Sequence, residues 1–364
     1  MSTLDDTASP DHNVYAAELL RWSTVALGAA GAPSSTAARV ATSLVESDLR
    51  GYVSHGVMRL PGYVADVRSG AIDPGAEPSV VPGGRGATLV VDGNDAFGQL
   101  TAEFAVDELA RRAADTGVAF AVTRRCRHVG RLGDYVERLA SHGFIGFAVV
   151  NAEPLVAASP GRTRVLGTNP HAWGFPGGDS ESAVVVDFAT SIVSAGRVMA
   201  ARANGEQLGD GLIIDREGAP SHEPDDLFSG GALLPFGGHK GFALGLVADL
   251  LAGVLSGSGS GSSPTYVGYH GLALLAIDVS AFLDLDEFTS EVEALRSRVA
   301  ASSTRDDATG SPLPGEGSAT RRRSASASGV LIPTSTAAAL SALALSLGVP
   351  ELATTPTPTP THGA

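Results

Sequence analysis

Apolar residues recur at helical spacing through the first seventy positions. Val14, Leu19, Leu20, Trp22 and Val25 mark one face and Val40, Leu44 and Val45 the next, which predicts amphipathic helices over 14–30 and 34–50. Gly31-Ala32-Pro33 separates them, and Ser34 or Ser35 can cap the second. That helix ends at Gly51, a residue suited to the left-handed C-terminal position. Ser54 is then placed to cap a third helix, which carries Leu60, Tyr63, Val64 and Val67 and stops near Gly70. A third helix running through Arg59 puts His55 and Arg59 four residues apart on one face.

Past a Pro- and Gly-rich connection at 71–86 the period changes. Short β-runs at 87–92, 118–123, 144–150, 184–188 and 212–215 alternate with helical stretches at 98–116, 134–142 and 191–203. Such alternation predicts an α/β unit. A helix from near His239 to Leu255 is apolar almost all round and reads as buried. Residues 256–264 (SGSGSGSSP) read as a flexible loop. A strand follows at 272–277, then a helix at 283–301 with Phe288, Val292 and Leu295 inward. Residues 302–328 read as polar loop, 336–347 as a last helix, and 354–364 as a disordered tail. The division expected is a helical part at 1–80, an α/β part at 81–265, a C-terminal part at 266–350 that packs on the N-terminal helices, and a tail at 351–364.

Composition narrows the class. At 364 residues the chain is long enough for two or three units, and 43% hydrophobic with 18% charged residues fits a globular protein. Lys plus Arg is 25 and Asp plus Glu is 39, giving a net charge of −14. With Arg321-Arg322-Arg323 as its one basic triplet, the chain is expected to bind neither nucleic acid nor an anionic membrane. Cys126 is the sole cysteine, so an intrachain disulfide and a cysteine metal cluster are both excluded. No H-E-x-x-H spacing occurs, and no metal is expected. The first ten residues lack the regions of a signal peptide, and no apolar run approaches the ~20 residues that span a bilayer. A cytoplasmic protein is expected.

The chemistry centres on His55 and Arg59. An imidazole moves the proton of a hydroxyl or carbonyl oxygen. A guanidinium holds a carboxylate through two parallel hydrogen bonds. Together they suit a 2-hydroxy or 2-oxo acid. No G-x-G-x-x-G follows a strand and no Walker A sequence occurs, so any nucleotide cofactor needs another scaffold. Gly237-Gly238-His239-Lys240-Gly241 opens a helix and suits a phosphate. Asp187-Phe188-Ala189-Thr190-Ser191 ends a strand and suits a ribose or phosphate. The same glycines also suit close packing with Lys240 in water, and the second stretch also suits a plain strand end. His128-Val129-Gly130-Arg131-Leu132-Gly133 offers a second histidine after a strand, and His171 follows Thr168-Asn169-Pro170.

Taken together, DLRGYVSHGVMRLPGY (48–63), HVGRLGDY (128–135), LGTNPHAWGFP (166–176), VVVDFATSIVSAGR (184–197), LLPFGGHKGFALGLVADLLAGVLSG (233–257) and PLPGEG (312–317) resemble the malate/L-lactate dehydrogenase family of the second type. That resemblance covers about residues 14 to 350. It implies an α/β (α+β) fold of the L-sulfolactate dehydrogenase kind. In it a non-Rossmann NAD(P)-binding domain on a mixed, largely antiparallel sheet is joined by helical N- and C-terminal parts. It implies a homodimer that moves a hydride between NAD, or NADP, and a small carboxylate of the malate or lactate type. Reduction of a cyclic imino acid and oxidation of ureidoglycolate are the alternatives within the family. By the resemblance His55 is the proton donor or acceptor, Arg59 binds the carboxylate, Ser54 assists, and His128 lines the same site. Gly130, Arg131, Leu132, Thr168, Asn169, Asp187, Phe188, Ala189, Thr190, Ser191, His239, Lys240, Pro314, Gly315, Glu316 and Gly317 fall in cofactor-contacting stretches. Arg131 and Leu132 are bulkier than the family's usual residues, and a pocket reshaped by Arg131 beside His128 is expected. His270 stands where the hydroxycarboxylate branch carries a different polar contact.

Overall fold

The computed structural model describes residues 12–178, 183–264, 266–302 and 312–356. Helices Ala16–Ala29, Ser34–Leu49 and Leu60–Ser69 pack their apolar stripes together around Trp22, Leu27, Leu44 and Leu60. Ile332, Leu340 and Leu343 from the far end of the chain complete this core. The Trp22 indole N–H donates to Pro350 O at 2.7 Å, tying the last helix to the first. No helix of the described residues is long and apolar enough to cross a membrane.

The second core lies on a seven-stranded sheet. Its spatial order is Ser79–Val80, Thr88–Asp92, Val118–Arg124, Leu272–Asp278, Phe144–Val150, His171–Phe175 and Val184–Phe188. Only the Thr88–Asp92 and Val118–Arg124 pair runs parallel; the remaining pairs are antiparallel. A Rossmann sheet is mostly parallel, so this is a different scaffold. Helices Gly98–Thr116 and Gly133–Ala140 contribute Leu109 and Val136 to a core with Leu274. Ala248 and Ala252 pack against Val122, Phe147, Val149 and Ala273. Because Leu272–Asp278 is the central strand, the α/β unit reaches past the expected boundary at residue 265. A smaller five-stranded sheet, spanning residues 156–233, packs Val156, Ile213 and Leu233 against Val198 and Leu227.

Several expectations need correction. The helix at His239–Ala248, extended by a π-turn at Asp249–Val254, is not buried all round. Its small residues Gly241, Gly245, Ala248 and Ala252 face inward, and Leu246, Val247, Leu250, Val254 and Leu255 stand exposed. A Cβ on Gly241 would lie 2.4 Å from Phe236 O, so the approach is too close for large side chains. Helix also replaces the polar loop at Glu316–Ser328, a surface helix with only Ser318 buried; Arg322 pairs with Glu46 at 2.7 Å. Residues 303–311 lie outside the described residues. Residues 191–194 are not helical: Ile192 N–H donates to Leu234 O, and the helix begins at Ala195 behind the Ser194 cap. Leu295, expected inward on Leu285–Ala300, is 53% exposed. Thr355–Pro356 pairs with the strand His12–Val14, while 357–364 lie outside the described residues.

The Gly-Ser stretch is pinned to the core. Ser256 and Ser258 are buried, and the Ser258 hydroxyl donates to Thr123 O at 3.3 Å. Asn151 holds this corner. Its amide donates to Asp249 Oδ1 at 3.1 Å and Gly259 O at 2.9 Å, and its oxygen accepts from Gly271 N–H at 2.9 Å. The buried Asp249 and Asn151 need partners, and the loop backbone supplies them. Replacing Asn151 by Ala takes the partner from the buried Gly271 N–H and the half-buried Gly259 carbonyl, and leaves Asp249 Oδ1 with the Gly261 N–H alone. We expect a loss of about 2–4 kcal/mol in urea unfolding. A loss under about 0.5 kcal/mol would show that the corner is dispensable.

Candidate active site

The chain reverses at Gly51, whose φ is +82°. Two single 3-10 turns follow, Val53–His55 and Val57–Arg59, before the helix Leu60–Ser69 begins. The single helix expected from Ser54 is therefore broken at Gly56, which is extended (φ −88°, ψ −156°). Asp48 is the cause. Its buried carboxyl group accepts the Val57 N–H at 2.8 Å, and a Cβ on Gly56 would fall 1.8 Å from its Oδ1. Burial pushes the Asp48 carboxyl up to about 8.

Breaking the helix lets the two side chains converge. The Ser54 hydroxyl lies 3.0 Å from His55 Nδ1, so Ser54 orients the imidazole and does not cap a helix. Arg59 Nε donates to Ser54 O at 2.7 Å. Its terminal nitrogens have no hydrogen-bond partner among the described residues and remain for a ligand. The His128 ring stacks beside His55, centroids 5.6 Å apart, and His270 meets His128 edge-on at 5.6 Å. Gln99 Nε2 donates to the Tyr63 hydroxyl at 2.8 Å, which leaves that hydroxyl to donate to His128 Nδ1 at 2.7 Å. His128 then carries its own proton on Nε2. At the far end His270 Nε2 lies 3.5 Å from Glu153 Oε1. The three histidines, Ser54, Arg59, Tyr63 and Glu153 line a cavity of about 550 Å³, ample for a small acid and the reactive end of a cofactor.

The electrostatics favour neutral imidazoles. Burial, then the charge of Arg59, then that of Arg131 lower His55 to about 3. Burial, Arg59, His270 and His55 drive His128 well below the ordinary histidine value. Hydrogen bonding to His270 holds the Glu153 carboxyl down at about 2. Cys126 is buried and its thiol is pushed up to about 12, so it is not a nucleophile.

The cavity gathers Ser54, His55, Arg59, His128, Gly130, Leu132 and Thr168. Arg131 turns away from it. Its guanidinium is 2% exposed, pairs with Asp134, lies 3.7 Å from Asp187 and covers the Tyr52 ring at 4.7 Å. The pocket reshaping expected of Arg131 does not occur. Asp187 is committed to the protein: it accepts the Gly133 N–H at 2.9 Å and faces Arg131. Phe188 stacks on His171, whose Nε2–H donates to Leu244 O. Ala189 is half-buried beside them. Thr190 donates to Thr168 O, Asn169 bonds Gly245 O and Ala152 N, and Ser191 donates to Val193 O. His239 and Lys240 are exposed at their helix start. Gly315 and Glu316, between Pro314 and Gly317, line a separate polar recess with Arg131 and Arg296.

Sequence reasoning missed Asp48, Tyr63, Gln99 and Glu153. In the sequence Tyr63 is only part of an apolar helix face, and Gln99 is hidden near the start of an otherwise regular helix. For Asp48 and Gln99 the available signal is a polar residue at an inward helical position; Glu153 lies in the turn after the strand Phe144–Val150 and carries no such signal.

The family profile described as malate/L-lactate dehydrogenase matches residues 14–341. The chain belongs to this family. It is 35% identical over 282 residues to a malate dehydrogenase of Pyrococcus horikoshii, covering 73% of this chain and 76% of that one. It is 37% identical over 276 residues to an L-lactate dehydrogenase of Cupriavidus necator, covering 74% and 79%. The solved malate dehydrogenase of Pyrococcus horikoshii superposes with a TM-score of 0.84 at 29% identity, covering 97% of this chain and 99% of that one. The protein is a dehydrogenase with the fold of that family.

The depressed His55 predicts a pH effect on stability. Above about pH 6.5 both folded and unfolded states hold His55 neutral. Below it the unfolded chain binds a proton that the folded site refuses, so stability falls as pH drops from 6.5 towards 3. Between pH 7 and 5 the wild type should lose about 2 kcal/mol more than His55→Gln in urea unfolding. Equal losses would mean that His55 is not held neutral.

Proposed function

We propose that the protein transfers a hydride between a nicotinamide cofactor, NAD or NADP, and the C2 carbon of a small 2-hydroxy or 2-oxo acid, in the cytoplasm. The observation that carries this reading is the joint placement of Arg59 and His55. One donates to the Ser54 backbone and the other meets the Ser54 hydroxyl, so a carboxylate gripped by Arg59 sets C2 beside the imidazole. In oxidation His55 takes the hydroxyl proton, and its neutral form is ready to do so. In reduction it returns that proton. A bound carboxylate offsets the Arg59 charge, one cause of the low His55 pKa, and so raises its basicity when substrate is present. The His128 Nε2–H steadies the oxygen.

A dinucleotide fits the surrounding residues. Gly237 and Gly238 hold φ of +55° and +61°, leaving the helix start at His239 open with Lys240 exposed beside it. Phe236 N–H donates to Thr190 O, and Thr190 donates to Thr168 O, so this patch runs into the cavity through Thr168. When bound, the cofactor supplies the hydride acceptor or donor. The uncovered apolar face Leu246–Leu255 supports a homodimer, since such a face favours burial against a second copy.

His55→Ala should lower kcat by roughly 10²–10⁴-fold while cofactor binding, followed by fluorescence, persists. Near-normal turnover would move the proton-transfer role to His128. Arg59→Lys loses the fork, and kcat/KM for the acid should fall by about one to two powers of ten. The corresponding substrate amide should be poor with the wild type and barely worse with the variant. Equal slowing of acid and amide would remove Arg59 as the carboxylate clamp. Sedimentation should show a dimer, and a fully active monomer would contradict the assembly.

A further inference from the structure

The cavity has two chemically different ends. Arg59 marks one, with guanidinium nitrogens left for a ligand. Four charged side chains line the whole cavity: Arg59, Arg127, Asp66 and Glu153. Arg127 is already occupied. Its Nη2 lies 3.0 Å from Asp95, and its guanidinium covers the Tyr269 ring at 4.4 Å. Glu153 sits at the rim, 59% exposed, with its Oε1 3.5 Å from His270 Nε2. Asp66 lies three residues beyond Tyr63 on the same helix, about one turn along, and also faces the cavity. The row His55, His128, His270, Glu153 therefore leads from the reacting end to an acidic end.

Resting on the hydride-transfer reading, we propose that Glu153 makes the site select monocarboxylates whose far end donates hydrogen bonds, as an amide, hydroxyl or ammonium does, and disfavour a second carboxylate. With C1 on Arg59 and C2 beside His55, the substituent on C3 points along the histidine row. A carboxylate there meets Glu153 and Asp66, and the only other lining guanidinium is held by Asp95. A like charge in a partly enclosed site costs affinity, whereas an N–H or O–H finds a charged acceptor. The rim position lets solvent screen part of this, so the selection is moderate.

The test compares three 2-oxo acids of similar length with reduced nicotinamide cofactor. They are oxaloacetate (far-end carboxylate), 2-oxosuccinamate (amide) and 2-oxobutyrate (methyl). Wild type and Glu153→Gln are both assayed; the exposed side chain makes this substitution safe for folding. The wild type should favour 2-oxosuccinamate over oxaloacetate by about tenfold in kcat/KM, and the variant should narrow that ratio to about twofold or less. 2-Oxobutyrate, whose methyl group reads neither charge nor donor, is the reference to which the other two acids are scaled in each enzyme. A wild type that prefers oxaloacetate, or a ratio unmoved in Glu153→Gln, overturns the proposal. Calorimetric titration of the same acids gives the ratio of Kd without turnover. Absence of reduction for all three with a charge-selective Kd would sink the hydride reading alone. A Kd blind to the far end would sink the proposal alone.

Discussion

The buried carboxyl group of Asp48 under Gly56 is the constraint from which the site is built. It accepts the Val57 N–H and fills the space that any side chain at position 56 would need. Without it the segment after Ser54 has a good sequence for one continuous helix, and His55 and Arg59 would then project side by side from its surface. With it the backbone makes two separate turns, and both side chains reach Ser54 from different directions. The group is costly to bury, as its raised pKa shows, and its backbone partner offsets only part of that cost. Such a buried polar group, retained at the point where geometry matters most, is a positional device more than a stabilising one.

The electrostatic design follows from that convergence. Arg59 lies close enough to both His55 and His128 to disfavour their protonation. The residue that binds substrate therefore also tunes the residue that moves the proton. A carboxylate on Arg59 relieves the effect at the moment proton affinity is needed. His128 is steadied from behind by Tyr63 and Gln99, so its orientation does not depend on the ligand.

The regular elements were legible in the sequence wherever one period ran unbroken, as at Gly98–Thr116, Phe144–Val150 and Val184–Phe188. The errors share a physical origin. Leu246 to Leu255 looked buried because apolar residues encircle the helix, yet periodicity cannot say that glycines at 241 and 245 bring the backbone too near for leucine. SGSGSGSSP looked mobile because composition ignores partners, and its partners, Asn151 and Thr123, are more than a hundred residues away. His55 and Arg59 were found because their chemistry is unusual. Asp48 and Gln99 were not, since a polar residue on a helix is ordinarily solvated, and only the tertiary contact reveals it as buried.

Arg131 shows how far a residue's type can mislead about its place. A guanidinium three residues from His128 invites a role in the cavity. Instead its buried charge draws Asp134 and Asp187 around it, with Tyr52 beneath. Asp187 lies near the end of the strand that leads into the Thr190 patch, and it also accepts the Gly133 N–H at the start of the helix Gly133–Ala140. Tyr52 belongs to the turn that delivers His55. One cluster thus joins the strand end, the His128 loop and the His55 turn, which come from three separate regions of the chain. Breaking one partner would leave an unpaired charge in the interior, a large penalty, so the three regions are held to one relative geometry. The carboxylate that reads as a cofactor contact and the arginine that reads as a pocket wall together set the distances across the site without facing it.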